Sequence, residues 1–120
     1  PTVYGDRIQL QQVILNLMLN AFDAMQQTSS RPRVLAIRTA HQATNAIVVS
    51  FQDTGIGMEE STMQHMFSAF FTTKPEGMGM GLAISRAIVE AHGGRIWAEP
   101  NADYGTTVCF TLPTRAEVTV

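Results

Sequence analysis

The chain is expected to fold as an α+β domain, a two-layer sandwich. Its sheet should be mixed, mainly antiparallel, and covered on one face by about three helices. Two observations predict this class. The elements run helix–strand–strand, then a glycine- and methionine-rich stretch, then helix–strand–strand, and segregated runs of this kind favour helices packed on one face of an antiparallel sheet. The alternating strand–helix units that would build a parallel doubly wound sheet are missing.

The first helix is expected from Asp6 to about Gln27. Asp6 can serve as N-cap, with Gln9 three residues on completing a capping box. Leu10, Ile14, Leu17, Ala21 and Ala24 recur at helical spacing, with Val13, Met18 and Met25 beside them. The stretch Thr28 to Pro32 breaks the helix. Two strands follow, Arg33–Ala40 and Ala46–Asp53, with Ile47, Val49 and Phe51 on one parity. The polar loop around Gln42–Asn45 predicts an antiparallel hairpin between them.

Residues 54–81 then hold five glycines, five methionines and Pro75, with one short helical candidate near Glu59–Met66. A segment this long between regular elements reads as a lid or as disorder. The second strong helix spans Leu82–His92 and stops at Gly93-Gly94. Arg95–Glu99 and Thr106–Leu112 are the closing strands.

At 120 residues, with 45% hydrophobic and 15% charged side chains, the whole chain, 1–120, reads as one domain able to bury its own core. A formal net charge of −2 and no cluster of Lys or Arg argue against a nucleic-acid surface, which needs grouped cations. A lone cysteine, Cys109, excludes an internal disulfide framework; between Val108 and Phe110 it reads as an inert packed thiol. No apolar run approaches the ~20 residues of a membrane span, and no signal-peptide pattern opens the chain. The opening Pro1-Thr2-Val3, almost in a helix start, reads as a piece of something longer.

Three groups of residues could carry chemistry. Asn16, Asn20 and Asp23, at i, i+4 and i+7, line one face of the first helix. Their neighbours Leu15, Leu17, Met18, Leu19, Ala21 and Phe22 are apolar, so much of the helix circumference should be buried and the three polar groups must find partners. They either bond to one another and to loop backbone, or they form a Mg²⁺ and phosphate site, for which an Asn carbonyl oxygen is a suitably hard ligand. Asp53, ending the apolar row of its strand, should face the core and needs a donor; an exocyclic amine such as the N6 group of adenine would serve. Gly55 and Gly57 behind it let backbone approach a ligand, although Asp-x-Gly-x-Gly also fits an ordinary turn. Gly77-Met78-Gly79-Met80-Gly81-Leu82 runs straight into a helix, where backbone N–H groups can form an anion site. It is neither the dinucleotide fingerprint nor a P-loop.

Taken together, Asn16-Leu-Met-Leu-Asn20-Ala-Phe-Asp23, Asp53-Thr-Gly55-Ile-Gly57, Phe67-Ser-Ala-Phe70-Phe71-Thr-Thr-Lys74, Gly77-Met-Gly79-Met-Gly81-Leu82 and Gly105-Thr106-Thr107 resemble the ATP-binding catalytic domain of sensor histidine kinases. They match its N box, first glycine box, F box, second glycine box and terminal Gly-Thr element, in that family's order, over essentially residues 5 to 113. The wider superfamily includes DNA gyrase, the MutL repair proteins and a heat-shock chaperone, which share the Bergerat-type ATP-binding fold.

The resemblance implies roles. Asn20 would ligate Mg²⁺, assisted by Asn16, with Asp23 on the same face. Asp53 would read adenine in a pocket shaped by Gly55 and Gly57, with Thr106 bonding nearby. Gly77, Gly79, Gly81 and Leu82 would cradle the phosphates of ATP as the lid, residues 54–81, closes. Lys74 would reach the γ-phosphate, and Phe67, Phe70 and Phe71 would anchor the lid or simply pack. Hydrolytic members of the superfamily typically carry a glutamate one turn before the metal-binding asparagine. Here that place is Asn16, and an amide cannot act as general base, which favours phosphoryl transfer.

His41, His65 and His92 lack the family's acceptor context. His92 reads as a cap that complements the helix dipole. The resemblance therefore places the acceptor histidine on dimerisation helices elsewhere in a parent kinase, with a response regulator downstream. This domain would be monomeric and cytoplasmic, contact neither membrane nor nucleic acid, and fail to phosphorylate itself. A serine kinase of the anti-sigma type, a nucleotide-sensing module without catalysis, and a hydrolytic ATPase are the alternatives.

Overall fold

The computed structural model describes residues 3, 5–26, 32–42, 45–57, 66–67, 81–101 and 104–114. Helix α1 spans Arg7–Gln26 and helix α2 spans Gly81–Ala91. Strands β1 (Ala36–His41), β2 (Ala46–Gln52), β3 (Ile96–Pro100) and β4 (Thr106–Pro113) form one sheet in the order β1-β2-β4-β3. All three pairings are antiparallel. Both helices pack on the same face, α1 over β2 and α2 over β3 and β4, so the expected α+β sandwich is present. The third helix candidate, near Glu59–Met66, lies outside the described residues except for Met66.

Parity decides which strand residues reach the helices. Phe51 pairs with Val108, Val49 with Phe110 and Ile47 with Leu112, and this row forms the core with Val13 and Leu17 of α1 and Ile88 and Val89 of α2. The Phe51 and Phe110 rings stack with centroids 6.1 Å apart. On the opposite face Trp97 stands across from Cys109, and its indole N–H donates to Glu99 Oε1 at 2.8 Å, which supports packing on an edge strand. Cys109 is buried, and burial together with the nearby Glu99 carboxylate pushes its thiol pKa up.

The helix ends follow local rules with one long-range substitution. Gly93 has φ +83°. Gly93 N–H bonds Glu90 O at 3.0 Å and Gly94 N–H bonds Val89 O at 2.9 Å, the pair of bonds that defines a Schellman cap. At the start of α1, Gln9 N–H bonds Asp6 Oδ1 at 3.1 Å, so Asp6 is the N-cap. The reciprocal bond of the expected box goes elsewhere: Asp6 N–H donates to His92 Nε2 at 3.0 Å. His92 Nδ1 lies 2.8 Å from Ile88 O, and a carbonyl can only accept, so Nδ1 carries the proton. His92 is a cap, as expected, but it works as a neutral ring joining two helices rather than as a cation beside a dipole.

Two further expectations need correction. Ile14, Leu15, Leu19 and Phe22 are exposed, Leu15 to 55%, because a single helix laid on a sheet hides one stripe and Val13, Leu17, Ala21 and Met25 occupy it. Met66, one of the five methionines of residues 54–81, is a core residue exposed to 1%, in the same cluster as Val13, Leu17, Ile88 and Val89. The first strand pairs from Ala36, not Arg33, since Val34 N–H is taken by Thr54 Oγ1 at 2.9 Å instead of a ladder carbonyl.

Candidate active site

Asp53 continues the parity of Ile47, Val49 and Phe51 and is exposed to 2%. It is gripped from both sides. Asp53 N–H donates to Thr106 O at 3.0 Å, while Thr106 N–H and Gly55 N–H donate to Asp53 Oδ1 at 3.2 and 2.9 Å. Among the described residues nothing donates to Oδ2. Burial pushes the Asp53 carboxyl pKa up, and the Gly55 and Thr106 N–H groups oppose that shift. A buried carboxylate with one oxygen saturated and the other open is an acceptor held ready for a ligand N–H.

The turns around Asp53 require glycine. Gly105 has φ +87°, and a Cβ there would stand 2.2 Å from Asp53 O. At Gly55 a Cβ would stand 2.8 Å from backbone and side-chain atoms of Ala24, so the first glycine turn lies directly on the last turns of α1. Gly57, at φ +74°, faces Gly105 O. Asn101, which the sequence reading passed over, locks the arrangement: its Nδ2 donates to Asp53 O at 2.9 Å and to Tyr104 O at 3.1 Å.

A second cluster sits where α1 meets the start of α2. Asn16 Nδ2 donates to Gly81 O at 3.1 Å and to Ser85 Oγ at 3.2 Å. The side chain of Asn20, half-buried one turn later, makes no hydrogen bond among the described residues, and Asp23 is half-buried on the same face. Leu82 is partly buried against the core. The stretch of α1 from Asn16 to Ala24 therefore links the Gly81 end to the Gly55 end, eight residues at 1.5 Å rise or about 12 Å, the scale of an extended nucleotide.

The structure thus assembles Asp53, Gly55, Gly57 and Thr106 at one end and Asn16 and Gly81 at the other, with Asn20 and Asp23 between. Lys74, Gly77 and Gly79 lie outside the described residues, as do Phe70 and Phe71; Phe67 is partly buried against the core. A pocket of about 320 Å³ lined by Arg38, Gln52, Asn101 and Tyr104 among others also reaches Asp53 and Thr54.

Residues 5–116 match the family described as histidine kinase-, DNA gyrase B-, and HSP90-like ATPase. The chain belongs to that family. Within this ATPase family the similar proteins are sensor kinases. The sensor protein FixL of Bradyrhizobium diazoefficiens is 50% identical over 115 residues, which is 96% of this chain and 22% of FixL. The sensor histidine kinase TmoS of Ectopseudomonas mendocina is 41% identical over 94% of this chain and 12% of its own length. A structure of the catalytic domain of histidine kinase ThkA superposes with TM-score 0.79 at 36% identity, covering 93% of this chain and 70% of that one. The chain is accordingly a catalytic ATPase domain of the histidine kinase kind, and it spans about a fifth or less of these two curated relatives. No described helix is long and apolar enough to cross a membrane.

Proposed function

We propose that the domain binds Mg²⁺-ATP along α1 and transfers the γ-phosphoryl group to a histidine on the dimerisation helices of its parent kinase, for passage to a response regulator. The observation that carries this reading is Asp53, whose buried carboxylate keeps Oδ2 open while two backbone N–H groups fix Oδ1. Adenine N6–H is the matching donor. Thr106 sets the carboxylate through its own N–H and closes the base end beside Gly105.

Asn20 fits a Mg²⁺ ion by its chemistry and by its freedom, a hard carbonyl oxygen on a half-buried amide with no hydrogen bond among the described residues. No cluster of three His, Cys, Asp or Glu capable of holding a metal occurs among those residues. That suits Mg²⁺, which keeps waters and substrate phosphates in its shell rather than entering an all-protein cage. Bound there, the ion would neutralise charge on the β- and γ-phosphates. Gly81 and the first turn of α2 offer N–H groups and the positive end of the helix dipole to the phosphates, with Gly77, Gly79, Leu82 and Lys74 completing the cradle. Asn16 holds no general base, so transfer depends on alignment with the incoming imidazole nitrogen and exclusion of water.

The test is calorimetry with a non-hydrolysable ATP analogue, with and without Mg²⁺, followed by transfer to a separately supplied acceptor-helix protein. Binding that Mg²⁺ strengthens, with label appearing on the acceptor histidine, supports the proposal. No binding at millimolar nucleotide refutes it, and binding without transfer supports a nucleotide-sensing module instead.

A further inference from the structure

Ser85 is exposed to 0% in the interior of α2, a place where alanine would pack without polar cost. Its bonds have fixed directions. The Gly81 carbonyl can only accept, so the Ser85 hydroxyl donates to it at 3.0 Å. That leaves Oγ as an acceptor, and Asn16 Nδ2 donates to it at 3.2 Å. Nδ2 also donates to Gly81 O at 3.1 Å. A flipped Asn16 amide would set Oδ1 against the Gly81 oxygen, acceptor against acceptor, so one orientation survives. The NH₂ group is thus turned toward α2. Oδ1 makes no hydrogen bond among the described residues and is what Asn16 has left to offer a ligand.

We propose that Ser85 is a positioning residue that sets the Asn16 amide so that its oxygen, not its NH₂, serves the metal–phosphate end of the nucleotide site. This rests on the nucleotide reading above. It assigns Asn16 an acceptor's role beside Asn20, complementary to a cation or its bound water and repulsive to a bare phosphate oxygen. The orientation depends on the Gly81 carbonyl staying in place, so Asn16 is set by the same turn of α2 that receives the phosphates.

The test compares Mg²⁺-ATP-analogue affinity with Mg²⁺-free affinity in the parent chain, Ser85→Ala, Asn16→Ala and the double variant, with thermal melts alongside. Ser85→Ala should reduce the gain in affinity given by Mg²⁺ about five- to tenfold, the scale of one misdirected polar contact, and leave Mg²⁺-free binding of adenosine diphosphate unchanged. In the Asn16→Ala background the same substitution should change nothing, since its route of action is gone. Ser85→Cys, which fills the site with a slightly larger side chain and weakens both bonds, should fall between; it carries the test if the alanine chain melts early. An unchanged Mg²⁺ gain in Ser85→Ala or Ser85→Cys, or an equal loss in both backgrounds, overturns the positioning role while the nucleotide reading stands. A parent chain that binds no nucleotide overturns both.

Discussion

Substituting Asp53 by asparagine separates the proposed base contact from the fold that holds it. Two N–H groups, from Gly55 and Thr106, converge on Oδ1, so the amide oxygen of an asparagine must take that place. Its NH₂ then lies where Oδ2 was, and the adenine N6 amine meets a donor instead of an acceptor. The loss combines a hydrogen bond to a charged acceptor, about 1.5–3 kcal/mol, with a buried donor left unpaired, about 1–3 kcal/mol. A total near 3–5 kcal/mol lowers affinity about 10²- to 10⁴-fold. A 6-oxopurine triphosphate offers an acceptor there and should bind the variant better than an adenine nucleotide does.

Stability should move the other way. Burial raises the Asp53 carboxyl above its ordinary 3.8, so the ionised group destabilises the native state. That destabilisation is absent below the unfolded-chain value, grows as pH rises toward the raised native value, and is complete above it. The neutral amide of the variant lacks it, so at neutral pH Asp53→Asn should melt at or above the parent temperature. Calorimetry against both nucleotides, with melts on the same samples, decides the matter. A variant that melts like the parent and binds the adenine analogue within threefold of it refutes the reasoning. In the parent, adenine-nucleotide affinity should fall as pH drops through the raised Asp53 pKa, because the bound state needs the carboxylate; in the variant that dependence should vanish.

A Cβ at Gly94 would lie 1.8 Å from Thr111 O, so Gly94→Ala must displace β4, cost about 3 kcal/mol or more and lower the melting temperature by about ten degrees or more. Gly81→Ala meets nothing closer than Asn16 Cγ at 3.9 Å; its melting temperature should hold while ATP-analogue affinity weakens, and equal affinity would count against a phosphate contact at that turn. His92→Ala removes the acceptor for Asp6 N–H and the cap on Ile88 O, and should cost about 1–2 kcal/mol in a denaturant titration. Cys109, buried and with its pKa raised by desolvation, should resist alkylation in the native chain and react on unfolding.

Periodicity made most of the fold legible. The parity of Ile47, Val49, Phe51 and Asp53 located both the core row and the buried carboxylate, and Gly93-Gly94 marked the end of α2 to within one residue. Composition misled on α1, where apolar residues outnumber the positions one sheet face can cover and Leu15, Leu19 and Phe22 were left outside. Three contacts were beyond sequence reasoning because they join distant segments: Ser85 with Asn16, Asn101 with the Asp53 carbonyl, and His92 with Asp6. A serine four residues after Gly81 in an otherwise apolar stripe was the signal available for the first; for the other two, turn and cap residues gave no hint of their partners.

The sheet order has a consequence for how the domain comes into being. β4 lies between β2 and β3 although it is the last described strand to leave the ribosome. The Asp53–Thr106 contact spans 53 residues of sequence, a long loop whose closure must come before that contact rewards it. Until β4 arrives, β2 is an unpaired edge, Phe51 lacks its stacking partner, and the Asp53 carboxylate has no second N–H to fix it. Nascent or truncated chains ending before Gly105 therefore lack one of the two N–H groups that fix the proposed base-reading carboxylate, and nucleotide capture should report synthesis carried through to β4.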